Sequence, residues 1–130
     1  PVTLSWSNPQ GVRFEILLSV DDQFMFTATQ RVVNATAAPV ALRPFALVSR
    51  VGESKDPDTW TAHVGPLGVF DDILDDVNWE DIRDDGNQAV DFTSRGGWLG
   101  FSDKYWLTAI VPDQKAKIDA TMRHAPGDRY

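Results

Sequence analysis

The chain has 130 residues, a formal net charge of −7 and no Cys; 42% of it is apolar and 24% charged. That is long enough for a buried core and reads as globular rather than disordered. The acidic balance and the lack of a basic run argue against nucleic acid or anionic lipid as direct partners, and the absent thiols exclude disulfides and thiolate metal sites.

The dominant period along the chain is two, the antiparallel strand signature. "VTLSWS" (2–7) sets Val2, Leu4 and Trp6 against Thr3, Ser5 and Ser7. "VRFEILLSV" (12–20) follows Gly11, and "FMFTATQRVV" (24–33) follows the acidic turn Asp21-Asp22. "PVALRPFALVSRV" (39–51) reads as a fourth strand, with Pro44 marking an edge or a bulge because proline donates nothing to the ladder. "ESKDPD" (53–58) is a loop, and "TWTAHVGPLGVF" (59–70) resumes extended chain broken at Gly65-Pro66. The stretch 71–91, "DDILDDVNWEDIRDDGNQAVD", holds nine acidic residues and one Arg and reads as a loop with one short helix. "QAVDFTS" (88–94) is a strand, and "WLGF" (98–101) and "YWLTAIV" (105–111) form a hairpin about a tight polar turn. "AKIDATMRH" (116–124) is the last strand, and "APGDRY" (125–130) a tail. Eight or nine strands without a long helix predict a single all-β domain, an antiparallel β-sandwich.

Pro1 is not followed by a basic and then apolar leader, and no run reaches the roughly 18 apolar residues of a membrane span. The expectation is a soluble piece cut from a longer chain.

The search for chemistry finds little. His63 and His124 are isolated, with no metalloprotease spacing and no nucleophile elbow. Gly96-Gly97 lacks the Lys-Ser/Thr ending of a phosphate loop. The pairs Asp71-Asp72, Asp75-Asp76 and Asp84-Asp85 could feed a hard cation, but they do not follow the spacing of a calcium loop. A solvated acidic loop is the simpler reading, and a docking surface for a basic partner is a further one. Asp71, Asp72, Asp75, Asp76, Trp79 and Glu80 are the candidate partner-contact residues. No catalytic residue, cofactor or metal is expected.

The motifs "ALRPFALVSRVG" (41–52), "HVGPLGVFDD" (63–72) and above all "GGWLGFSDKYWLTAIVPDQ" (96–114), with "VDDQFMFTATQRVVN" (20–34), resemble the large periplasmic domain of the YidC family of Gram-negative membrane protein insertases. The resemblance covers most of the chain. It implies a β-supersandwich similar to galactose mutarotase, in a protein anchored in the inner membrane through segments outside this chain. It further implies a periplasmic location and contacts with the Sec translocon, its accessory subunits or nascent membrane proteins. Insertion itself would reside in a membrane core that this chain lacks. On this reading Trp98, Phe101, Tyr105 and Trp106 are chiefly packing. The rival reading is a carbohydrate-binding module or mutarotase-like enzyme, for which His63 with Glu53 or Glu80 is the one acid–base pairing on offer. A third is a cation-stabilised adhesive sandwich built around 71–91.

Overall fold

The computed structural model describes residues 1–55, 63–83 and 89–130. Its strand pairings are all antiparallel among the described residues, and the chain falls into two compact units, Pro1–Phe45 and Ala46–Tyr130. Among the described residues no helix is long and apolar enough to cross a membrane.

The first unit is a three-stranded sheet of β1 (Val2–Ser7), β2 (Val12–Val20) and β3 (Phe26–Asn34), in that order. Its register lines up Val2 with Leu18, Leu4 with Ile16 and Trp6 with Phe14. Because side chains alternate, those residues share one face, where the Trp6 and Phe14 rings stack at 5.5 Å. The other face is polar, with Glu15 between Arg13 (3.0 Å) and Arg31 (3.6 Å). Asn8 Oδ1 accepts the Val12 N–H at the first turn, and Asp21 Oδ1 accepts the N–H groups of Gln23 and Met25 at the second. These are the local bonds that make Asn and Asp turn residues.

The expected strand at 39–51 is absent. Residues 39–50 are irregular, and only Val51 makes a bridge, to Arg129. The alternation is present, but a strand needs a neighbour to receive its N–H and C=O groups. Pro39 and Pro44 remove donors, and Phe45 and Leu47 stay exposed.

The second unit contains β4 (Gly65–Phe70), β5 (Ile73–Asp76), α1 (Trp79–Arg83), β6 (Ala89–Arg95), β7 (Trp98–Ser102), β8 (Leu107–Ile110) and β9 (Lys117–Arg123). Four strands form a sheet in the order β5-β4-β7-β8, while β6 and β9 pair separately. The two layers meet where Phe70 of β4 stacks on Phe92 of β6 at 4.1 Å and 8°. Around that contact Val77, Ile82, Ala120, Met122 and Tyr130 are buried, with Trp79, Val90, Leu99 and Phe101 packed against them. The Gly65-Pro66 break opens β4 instead of interrupting it. Pro66 pairs with Phe101, and its carbonyl accepts the Val77 N–H at 2.9 Å.

Gly97 explains part of the "GGWLG" stretch. Its φ is +84°, and a Cβ there would lie 2.0 Å from the Val69 carbonyl oxygen, so only glycine lets the chain pass from β6 into β7 beside β4.

The C-terminal "APGDRY" is not a free tail. Arg50 and Tyr130 exchange both backbone hydrogen bonds at 3.0 Å, and the Gly52 N–H donates to Asp128 O at 2.8 Å. This pairing seats Tyr130, 6% exposed, in the core. The strand β5 is a second departure: Ile73–Asp76 pairs with β4 despite its acidic text. The polar residues 56–62 and the Asp84-Asp85 pair lie outside the described residues.

Candidate functional site

The acidic stretch is built on a tight hairpin. Asp71 and Asp72 have φ of 48° and 66°, and they join β4 to β5 through the pair Phe70–Ile73. Positive φ at both central residues is what a two-residue hairpin turn of right-handed twist requires, and Asp tolerates it better than most residues. Asp71 is also bonded: its N–H donates to Ser94 Oγ at 2.8 Å, and its Oδ1 accepts the Arg95 N–H at 2.9 Å. That satisfies Ser94, a buried polar residue. Asp72 and Asp76 are exposed, Asp75 half-buried.

Helix α1 follows directly. Asp81 Oδ2 accepts the Asn78 backbone N–H at 3.1 Å, the reciprocal half of a capping box, and Glu80 and Asp81 sit in the positively polarised first turn. Ile82 is fully buried beneath the helix. Trp79 turns inward. Its ring stacks on Phe101 at 5.9 Å, meets Tyr130 edge-on at 4.6 Å and lies under the Arg50 guanidinium at 5.0 Å. The structure therefore brings Asp71, Asp72, Asp75 and Asp76 onto one hairpin, with Glu80 exposed on the helix after it, and commits Trp79 to packing.

A cluster of ionisable groups lies beside Trp79. Glu53 Oε1 accepts the Tyr130 hydroxyl at 2.9 Å and pairs with Arg83. Burial pushes the Tyr130 phenol above its ordinary value, and the Glu53 carboxylate adds to the shift. His124 lies against the Tyr130 ring at 4.7 Å and 3.5 Å from the Asp128 carboxylate. His63 is elsewhere: its Nε2 is 3.0 Å from the Pro66 carbonyl and its Nδ1 3.6 Å from Asp76. The bonded partners of His63 and Glu53 are thus different residues, and neither is aimed at the other. Among the described residues, no three His, Asp or Glu converge as metal ligands.

The aromatic hairpin departs from expectation. Trp98 and Phe101 are partly buried, but Tyr105 is 74% and Trp106 78% exposed. Both sit at the β7–β8 turn, where the Asp103 N–H donates to Trp106 O at 2.7 Å. Beside them runs a groove of about 250 Å³, lined by Val48, Ser49, Arg50, Val51, Phe101, Asp103, Trp106 and Thr108. Arg50 and Asp103 close its polar end with an ion pair at 2.7 Å. Sequence reading missed this pair, because the partners are 53 positions apart and neither stands in a motif.

Layered antiparallel sheets with a charged hairpin at one edge and exposed aromatics at the other define an all-β domain of the sandwich class. Comparison with known proteins narrows this. The profile of the YidC periplasmic domain matches residues 1–130. The membrane protein insertase YidC of Zymomonas mobilis subsp. mobilis is 42% identical over 132 residues, covering 100% of this chain and 23% of that protein. Those of Beijerinckia indica subsp. indica and Acidiphilium cryptum are 45% and 39% identical, covering 92% and 95% of this chain and 20% and 22% of theirs. No solved structure matches the chain. The chain belongs to the YidC periplasmic domain family, and it spans about a fifth to a quarter of the length of these curated relatives.

Proposed function

We propose that this chain forms part of the periplasmic domain of an inner-membrane protein insertase and works, without catalysis, by contacting other proteins. The observation that carries the reading is the family match along all 130 residues, together with relatives that bear the name membrane protein insertase. The partners in this reading are nascent membrane proteins and the Sec translocon with its accessory subunits. The contact surface we assign is Asp71, Asp72, Asp75, Asp76 and Glu80, with Trp79 fixing α1 beneath it. Exposed carboxylates on two adjacent elements, in a chain of net charge −7, favour a basic partner and speed its encounter.

The test is in-cell photo-crosslinking in the native full-length gene product, with a photoreactive amino acid at Asp72. We expect adducts with Sec components or nascent inner-membrane proteins, lost when Asp75, Asp76 and Glu80 are changed to Lys. Adducts that survive this charge reversal, or none at all, count against the acidic surface as the contact.

A further inference from the structure

Among the described residues one buried side-chain nitrogen has no hydrogen bond, Nε2 of His124. Buried polar atoms are rarely left unpaired, so the exception asks for a reason. His124 follows β9 and opens the C-terminal turn. Ala125 and Arg129 exchange both backbone bonds, at 2.7 and 3.2 Å, around Pro126, Gly127 and Asp128. Gly127 and Asp128 have φ of +82° and +54°, and the turn they make leaves the Asp128 carboxylate 3.5 Å from His124 Nε2. The His124 ring also lies against that of Tyr130, with centroids 4.7 Å apart.

A neutral imidazole matches these surroundings poorly. Without a hydrogen, Nε2 turns its lone pair toward a carboxylate; with one, it donates over a distance too long for a good bond. A cationic ring fits better. Its charge attracts the carboxylate without a tight hydrogen bond, and the Tyr130 face adds a cation–π contact. The other charges nearby are engaged elsewhere. Glu53 is held by Arg83 and the Tyr130 hydroxyl, and Arg50 by Asp103 and the Gly52 carbonyl. Arg123 and Arg129 flank this segment in sequence. Among the described residues, Asp128 is the carboxylate within ion-pair reach of His124.

We infer that His124 is a proton-operated clasp on the C-terminal strap, residues 125–130. Protonated, it holds Asp128 and Tyr130 in place. Neutral, it leaves a buried nitrogen unpaired and the strap more weakly held. The strap has a structural duty: Gly52 N–H donates to Asp128 O, Arg50 and Tyr130 exchange bonds, and Tyr130 meets Trp79 at the start of α1. The proton therefore sets how firmly the strap and α1 are docked. Every group involved lies in the second unit, and a nitrogen buried there is not open to any other segment of a longer protein. The clasp does not depend on the partner contacts proposed above.

The test is amide hydrogen exchange of the purified full-length gene product, read by mass spectrometry on peptides covering 48–53 and 124–130. Histidines change charge between about pH 5 and pH 8, so those two values are compared. Each rate is divided by that of the same peptide unfolded at the same pH, which removes the intrinsic pH dependence of exchange. Both peptides should be protected about fivefold more at the acid value, the scale of one partly exposed ion pair, and the excess should vanish as pH rises. His124→Gln keeps a donor but cannot gain charge. Asp128→Asn removes the carboxylate and keeps a residue that tolerates positive φ. Protection in both variants should be the same at the two pH values. A pH-independent parent, greater protection at the alkaline value, or the parent's pH dependence persisting in either variant overturns the proposal. The β9 peptide 117–123 is the control for folding: should His124→Gln lose its protection at both pH values, Asp128→Asn decides alone.

Discussion

Tyr130 gives the sharpest test of how the second unit is held together. Its side chain is 6% exposed, packs against Trp79 and His124, and donates its hydroxyl to Glu53. Tyr130→Ala removes a buried aromatic and leaves a cavity beside Trp79, a change that typically costs about 3–5 kcal/mol. Tyr130→Phe keeps the packing and deletes one bond to a carboxylate. Such a bond is worth about 1.5–3 kcal/mol when buried, but the Glu53 side chain is 35% exposed and keeps Arg83, so about 1 kcal/mol is expected. Urea unfolding followed by near-ultraviolet circular dichroism reads both values. The pH dependence separates packing from bonding. The folded phenol titrates above its ordinary 10.0, so its contribution is fully present below that pH and is lost as pH rises through the higher folded value. Stability should therefore fall above about pH 10 in the parent chain, and this component of the slope should be missing in Tyr130→Phe. A loss under about 1 kcal/mol for Tyr130→Ala, or the same alkaline slope in Tyr130→Phe, would refute the docked position of this residue.

Three further outcomes follow from the same geometry. Gly97→Ala should destabilise by more than about 2 kcal/mol, because a positive φ and the Val69 carbonyl both oppose a Cβ; thermal denaturation reads it. Replacing Asp71-Asp72 by Asn-Gly should leave stability within about 1 kcal/mol of the parent, since the lost Asp71 carboxylate is offset by better turn residues; a loss above about 2 kcal/mol would make the Arg95 contact dominant. Asp81→Ala should cost about 1 kcal/mol by breaking the cap at Asn78, and amide exchange in α1 should quicken while β9 is unaffected.

Most strands were legible because each alternates over a stretch bounded by turn residues. The pattern of 2–7, 12–20, 24–33 and 116–124 needs no knowledge of neighbours beyond a sheet with one apolar face. Residues 39–51 show the limit: they alternate as well, yet no strand among the described residues offers them an edge. Ile73–Asp76 failed in the opposite direction, since its charges hid a strand whose pairing is set by the Asp71-Asp72 turn and not by its own composition. The acidic text itself divides into local duties: Asp71 satisfies Ser94, and Asp81 caps α1. Tyr130 was unreadable because its burial depends on a backbone pairing with Arg50, 80 positions earlier in the chain. Trp106 misled for a related reason. Aromatic content favours burial, but Trp106 stands at the β7–β8 turn beside an open groove, and β8 is the last strand of its sheet among the described residues.

The central proposal is that this chain is part of a membrane-anchored insertase and lies outside the inner membrane. The most direct measurement is protease protection on spheroplasts and on inverted inner-membrane vesicles, probed with an antibody raised against this chain. The account predicts an integral membrane protein several times longer than 130 residues, with this region cleaved in spheroplasts and protected in inverted vesicles. A small protein in the soluble fraction, or cleavage from the cytoplasmic side, would contradict it.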